Sequence, residues 1–412
     1  MTIKMNNNKL KQAVILCGGY GSRLGLLTTK TPKPLLKINN IPFLIYLINN
    51  LIRYGISDIL LLCHYRHREF SKVFKKNNFL GVRIRCIYEK KLLGSGGAIL
   101  NIKDKLNKRF LVCNGDTYFD FNILDLFSSL KKKSIGIVAL TKIKQDKKRY
   151  NQFYLNKENK LLLSSHKNRK KSPLINTGFI VFNKDIINFL NYSESSLENN
   201  IIPKLIKLGN IQGKVYCKSH HKFIDIGVKK DFVRANNFFS NVLCKKAVFL
   251  DRDGIINIDK GYVYKIKDFV WRKRIVDLIK YLNDNNYYIF VVTNQSGIGR
   301  GYYSERQLNK LHQWINSELM LKGCHIDSFQ YAPYFKNSIY KKYTLNKKFR
   351  KPNIGMYLEI KKKWDFDKNN SFMIGDKNSD LLFANKANLK GLLINSNMDI
   401  FSKVKSFIND KA

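Results

Sequence analysis

Two acidic residues one position apart, Asp251 and Asp253, follow the apolar run AVFL and precede a glycine in AVFLDRDGIIN (247–257). Carboxylates held this close repel each other unless a cation or a proton lies between them. On an ideal strand both side chains project to one face, so the pair is a candidate Mg²⁺ site. A second array, AVILCGGYGSRLG (13–25), ends its apolar run in glycines instead of acids. Gly18, Gly19 and Gly21 allow a phosphate chain to approach the backbone closely, and Arg23 adds a rigid fork of donors. The spacing supports neither a GxGxxG dinucleotide loop nor a GxxxxGK[ST] P-loop.

Strands must present both arrays. Runs of Val, Ile and Leu recur between longer amphipathic segments, which predicts βαβ units on parallel sheets. The predicted strands are 13–17, 58–63, 109–113, 134–140 and 175–182 in the first half, then 247–251, 287–293, 371–376 and 390–395. Helical spacing predicts helices at 41–55, stopping at Gly55, and at 273–284 and 305–323. The expected fold class is α/β, with two open, mainly parallel, doubly wound domains, 1–240 and 246–412, divided within NNFFSNVLCK (236–245).

A length of 412 residues accommodates two such cores, and 44% hydrophobic residues with 13% aromatics exclude a disordered chain. No apolar run approaches the ~18 residues of a membrane span, and MTIKMNNNKLKQ has no signal-peptide core, so a cytoplasmic protein is expected. Seven scattered cysteines without a CxxC pair read as reduced thiols. The net charge of +45 raises nucleic acid as a partner. Lys and Arg are spread along the chain without a binding motif, and abundant Lys, Asn and Ile are what an AT-rich genome imposes, so nucleic acid is not the expected partner. The field still attracts phosphorylated small molecules, screened beyond about 8 Å at physiological salt.

The segments GGYGSRLGLLTTKTPKPLL (18–36), EKKLLGSGGAI (89–99), CNGDTYFD (113–120) and FIDIGVKKDF (223–232) occur in the order of the sugar-phosphate nucleotidyltransferases. Residues 10–238 resemble that family. The resemblance implies attack of a sugar 1-phosphate on the α-phosphate of a nucleoside triphosphate, where cations must offset the meeting of anions. It implies that Arg23 and Lys33 hold the triphosphate and that Asp116 and Asp225 hold Mg²⁺. Gly94 and Gly97 would pack against the nucleoside, and Asn176, beside Gly178, would face the sugar. Where the family often has a Glu-Lys pair, this chain reads SSHKNRKK (164–171). Lys167, then Lys170, is the candidate for contact with the sugar phosphate, and His166 is read as a solvated loop residue. Taken singly, Asp116 and Asp225 also suit turn or cap positions.

In the second half DRDGIINIDKGYV (251–263), TNQSGIGRG (293–301), RKPNIGM (350–356) and IGDKNSDL (374–381) run in register with the haloacid-dehalogenase-like phosphohydrolases. Within them the match is to the heptose-1,7-bisphosphate and histidinol phosphatases, over about residues 246–397. The resemblance makes Asp251 the nucleophile and Asp253 the acid that protonates the leaving oxygen, then the base for water. Thr293 and Lys351 would bind the phosphoryl oxygens, and Mg²⁺ would lie on Asp251, Asp376 and the carbonyl of Asp253. Substrate contacts fall on Asp259, Lys260, Gly261, Tyr262, Asn294, Gln295, Ser296, Arg350 and Lys377. Asp380 suits either a hydrogen bond within the site or a helix cap. Many relatives bind zinc through Cys-x-His and Cys-x-Cys, but here those positions are Ala332, Tyr334, Lys347 and Phe349, so no zinc is predicted. Cys324 and His325 read as packing residues.

The implied activities complement each other, because a 1,7-bisphosphate phosphatase leaves a sugar 1-phosphate. The expectation is a bifunctional enzyme making nucleotide-activated heptose for a surface polysaccharide, with Mg²⁺ in both domains and GTP as the favoured donor. The alternatives are a histidinol-phosphate or other sugar-phosphate phosphatase joined to a different hexose-1-phosphate nucleotidyltransferase, or a nucleic-acid end-processing phosphatase.

Overall fold

The structure is a computed structural model describing residues 9–75, 78–142, 150–163, 173–192, 196–344 and 348–410. Two compact units divide the chain, Met1–Ser240 and Asn241–Ala412. The helix Lys229–Val242 runs across that division, and the first strand of the second unit starts at Lys245.

At the centre of the first unit, Gln12–Leu16 lies between Asp58–Cys63 and Arg109–Asn114, parallel to both, and Val82–Tyr88 extends the parallel set. Residues 58–63 are buried throughout, as befits a strand covered on both faces. Beyond Arg109–Asn114 the direction changes. Leu174–Asn183 runs antiparallel to it and to Gly136–Thr141, which pairs in parallel with Ile211–Val215. The strands expected near 134–140 and 175–182 therefore form, but in a mixed sheet, because apolar periodicity carries no information about strand direction. Helix Phe43–Arg53 buries its apolar stripe and gives way to Gly55 at φ 79°, the left-handed stop that glycine accommodates. A separate antiparallel ribbon joins Thr117–Asp120 to Lys222–Asp225.

The second unit holds a five-stranded sheet in the order 328–332, 288–294, 245–250, 366–375, 390–393. Its pairings are all parallel. Alternation along Lys245–Leu250 sends Val248 and Leu250 into one apolar cluster and Ala247 and Phe249 into another, so the sheet is covered on both faces. The chain leaves this central strand for one neighbour and later returns on its other side. That makes the carboxyl end of Lys245–Leu250 a topological switch point, where open α/β sheets bind ligands. Among the described residues no helix is long and apolar enough to cross a membrane.

Candidate active sites

In the second unit the central strand ends at Leu250, so Asp251 and Asp253 lie on the loop beyond it. The expected sharing of one strand face is not how they are held; Arg252, between them, binds both. Its backbone N–H donates to Asp251 Oδ1 at 2.7 Å, while its side-chain Nη2 lies 2.8 Å from each oxygen of Asp253. Lys351 Nζ is 3.0 Å from Asp251 Oδ1 and 2.6 Å from Asp380 Oδ1. Burial raises the Asp251 carboxyl to about 6, with Lys351 opposing the rise and Asp380 adding to it. Burial alone would favour the neutral amine of Lys351, but Asp251 and Asp380 hold it above its ordinary value, a cation at neutral pH.

Asp251, Asp376 and Asp380 each present an oxygen within 4.8 Å of the others. Asp376 Oδ1 is buried without a hydrogen-bond partner, and burial raises that carboxyl too. Three hard carboxylates, one with an unsatisfied oxygen, suit Mg²⁺. Asp380 therefore belongs to the cluster as well as accepting from Lys377 N at 3.1 Å as a cap. Gly254, at φ 88°, makes room for it: a Cβ there would lie 2.1 Å from Asp376 Oδ2.

A cleft of about 470 Å³ opens over these groups, lined by Asp251, Asp253, Asp259, Gly261, Tyr262, Thr293, Asn294, Ser296, Arg350, Lys351 and Lys377. Lys377 Nζ pairs with Asp259 Oδ2 at 3.1 Å. Burial would raise the Asp259 carboxyl, but the N–H of Gly261 and Lys377 outweigh it and hold it low. The Asn294 amide clamps the backbone of Lys351, accepting from its N–H at 3.0 Å and donating to its carbonyl at 3.2 Å. Lys260 is exposed and does not line the cleft. Gln295 borders the cleft at 2% exposure, but its amide is committed inward. Nε2 donates to Asp253 Oδ2 at 2.8 Å and to Thr293 Oγ1 at 2.9 Å, and Oε1 accepts from Tyr303 at 2.6 Å. Gln295 supports Asp253 and Thr293, and Tyr303 and Arg252 are the residues that the motifs did not mark.

At the positions where relatives carry zinc, Ala332 is buried and the rings of Tyr334 and Phe349 meet edge to face at 6.1 Å; Lys347 lies outside the described residues. These groups do not suit zinc. His325 is buried against Asp327, with Nε2 3.1 Å from Oδ1, and the Cys324 thiol donates to Leu319 O at 3.5 Å, as packing residues do.

In the first unit two clefts of about 360 and 300 Å³ share Arg23, Asn114 and Glu198. Gly19, Gly21, Lys33, Ser95 and Asp116 line the first; Tyr150, Asn176, Gly178 and Asp225 line the second. Lys33 is buried and pairs with Asp116 Oδ2. The ribbon brings the two carboxylates to adjacent backbone positions, with Asp225 opposite Thr117 and Ile226 N donating to Asp116 O at 3.0 Å. Asp225 also accepts from Gly227 N at 2.7 Å and from Tyr150 Oη at 3.3 Å. Asn176 Oδ1 accepts from Gly178 N at 2.9 Å, which fixes its amide at the cleft wall. Gly178, at φ 78°, lies against the Asn114 amide. Gly94 opens the short helix Gly94–Leu100, and a Cβ on Gly97 would lie 2.7 Å from Leu93 Cβ. Lys167, Lys170 and His166 lie outside the described residues. Glu198, on both clefts, sits in no recognised motif.

Gly18 does not line these clefts; it packs over Glu89, whose Oε2 would be 3.2 Å from a Cβ at residue 18. Glu89 is buried with Oε1 unpartnered, and burial lifts its carboxyl to about 7 against the pull of His64. Its folded value exceeds the ordinary 4.5, so folding retains a proton between those values and stability falls as pH rises through that window. Glu89→Gln is expected to raise Tm relative to the unmodified protein at pH 8, with the gain vanishing near pH 4. Equal Tm differences at both pH values in thermal melts would refute this.

A glycine loop with paired cations and carboxylates, followed by a buried carboxylate cluster at a switch point, defines a chain of two phosphate-handling enzymes. It belongs to the nucleotidyl transferase family over its first unit and to the haloacid-dehalogenase-like phosphatases over its second. The sequence model described as Nucleotidyl transferase matches residues 12–242, and that described as Polynucleotide kinase 3 phosphatase matches 247–396. The chain is similar to D-glycero-beta-D-manno-heptose-1,7-bisphosphate 7-phosphatase of Rhodopseudomonas palustris, 38% identical over 39% of this chain and 89% of the relative. Two Campylobacter jejuni proteins also match. D-glycero-alpha-D-manno-heptose-1,7-bisphosphate 7-phosphatase is 41% identical over 36% of this chain and 81% of the relative. D-glycero-alpha-D-manno-heptose 1-phosphate guanylyltransferase is 34% identical over 54% of this chain and 96% of the relative.

Proposed function

We propose that the second unit hydrolyses the 7-phosphate of D-glycero-D-manno-heptose 1,7-bisphosphate and that the first transfers GMP from GTP to the resulting heptose 1-phosphate. One observation carries this reading: parts of one chain match two enzymes of a single organism, and removing the 7-phosphate from the bisphosphate that one is named for leaves the heptose 1-phosphate that the other is named for. Both of those names specify the α anomer, which we take for this chain. We assign residues 1–240 to transfer and 246–412 to hydrolysis, and place the work in the cytoplasm, where nucleoside triphosphate is available.

In the phosphatase, Asp251 attacks phosphorus while the Lys351 ammonium, 3.0 Å away, holds a phosphoryl oxygen. Thr293 Oγ1 accepts from Gln295, which leaves its hydroxyl proton for a second phosphoryl oxygen. Asp253 protonates the departing sugar oxygen, then takes a proton from the water that opens the aspartyl phosphate. Mg²⁺ on Asp251, Asp376, Asp380 and the Asp253 carbonyl would supply neutralisation of the phosphoryl charge. In the transferase, Arg23 and Lys33 bind the triphosphate, and Asp116 and Asp225 would hold Mg²⁺. Asn176 orients the sugar, and Lys167 is the candidate, from the family resemblance, for contact with its phosphate.

The match of residues 247–396 to Polynucleotide kinase 3 phosphatase and the charge of +45 favour one second reading, an end-processing phosphatase for nucleic acid. Incubation with the α and β heptose bisphosphates, Mg²⁺ and each nucleoside triphosphate separates the two. The expected result is phosphate release followed by GDP-heptose and pyrophosphate, with GTP preferred. A higher kcat/KM on a 3′-phosphorylated oligonucleotide than on either bisphosphate would overturn the heptose reading.

A further inference from the structure

We propose that Arg252 is the positioning residue of the phosphatase: it fixes the acid–base carboxylate Asp253 and acts through that carboxylate, without touching substrate. The proposal rests on the phosphatase reading of the second unit. Arg252 is wholly buried and its ion-pair partner is Asp253. Nη2 reaches both Asp253 oxygens at 2.8 Å and Nε reaches Oδ1 at 3.2 Å, while Nη2 also donates to Val263 O at 2.7 Å. Behind the guanidinium, Nη1 lies 3.5 Å from Nε2 of His312, whose ring stacks on Phe329 at 4.5 Å. Burial and the charge of Arg252 keep that imidazole neutral, so it offers the guanidinium a neutral neighbour.

A buried guanidinium is costly unless paired, and its planar fork holds a carboxylate in one plane, as an ammonium cannot. Asn257 Nδ2, 3.0 Å from Oδ1, and Gln295 Nε2, 2.8 Å from Oδ2, complete the cradle. Orientation matters because Asp253 serves two successive proton transfers. In the first step Asp251 Oδ bonds to phosphorus as the bond from phosphorus to the sugar oxygen breaks. That oxygen keeps the electron pair and takes the Asp253 proton. In the second step water oxygen bonds to phosphorus and its proton passes to Asp253, while Asp251 leaves with the electron pair of its own bond. A misplacement of about 1 Å costs on the order of 10²-fold in such transfers.

The test uses the full chain with Mg²⁺ and two substrates, the heptose bisphosphate and p-nitrophenyl phosphate, whose leaving group departs as a stable anion and needs no acid. First-turnover release of the leaving group is measured for Arg252→Lys, Arg252→Met, Asp253→Asn and the double variant Arg252→Met with Asp253→Asn. The expected result is a loss of about 100-fold or more on the sugar phosphate, but only a few-fold on the aryl ester, for each Arg252 substitution. The double variant should be no slower than Asp253→Asn alone. Thermal melting supplies a second readout should Arg252→Met alone fail to fold. Asp253→Asn strands the buried cation and lowers Tm, and adding Arg252→Met restores it. Equal losses on both substrates, multiplied losses in the double variant, or a double variant melting below Asp253→Asn would overturn the proposal. If the unmodified chain releases phosphate from neither ester, the phosphatase reading fails and this proposal with it.

Discussion

Asp251→Asn is expected to abolish phosphate release, by about 10⁴-fold or more, while the same protein still converts supplied heptose 1-phosphate and GTP to nucleotide sugar. An amide has nearly the shape of the carboxylate but cannot form the acyl phosphate. The Arg252 N–H can still donate to the remaining oxygen, and Lys351 keeps Asp380 at 2.6 Å, so its charge stays partnered and the local fold survives. A malachite green assay for phosphate and chromatography for nucleotide sugar, run on one preparation, read both activities. Retained phosphate release would remove Asp251 from the nucleophile's role, and joint loss would point to misfolding or to strict dependence of one unit on the other.

Asp116→Asn is expected to do the reverse, lowering nucleotidyl transfer by about 10³-fold and leaving phosphate release within a factor of two. Lys33 pairs with Asp116 and is buried, so the substitution removes a candidate metal ligand and also loosens the cation proposed to hold the triphosphate. Pyrophosphate release from GTP and heptose 1-phosphate measures the loss. A decrease relieved by raising Mg²⁺ would identify the carboxylate with metal affinity. Unchanged transfer would leave Asp116 as a partner for Lys33 alone.

How far these roles are legible in the sequence depends on the kind of contact that makes them. DRDG after an apolar run announces a carboxylate at a strand's end, because strand, acid and glycine are consecutive, and Gly254 is indeed crowded by Asp376. The inference that Asp251 and Asp253 share a strand face failed because the strand stops one residue earlier, at Leu250, and Arg252 then sets their arrangement. Gln295 stood in a substrate-contact motif, yet its amide turns inward to Asp253 and Thr293. Tyr303 and Glu198 reach their clefts through the tertiary fold, and no spacing rule flags them. The strands near 134–140 and 175–182 were legible as strands but not as antiparallel partners, since direction follows from the connections around them.

The ribbon that pairs Thr117–Asp120 with Lys222–Asp225 also orders events during synthesis. A nascent chain emerging from the ribosome displays the glycine loop, Lys33 and Asp116 long before residue 225 exists. The central parallel strands can assemble in that interval, but Asp116 lacks its companion carboxylate until the ribbon closes. On the proposed assignment of Asp116 and Asp225, transferase activity therefore reports completion of the first unit.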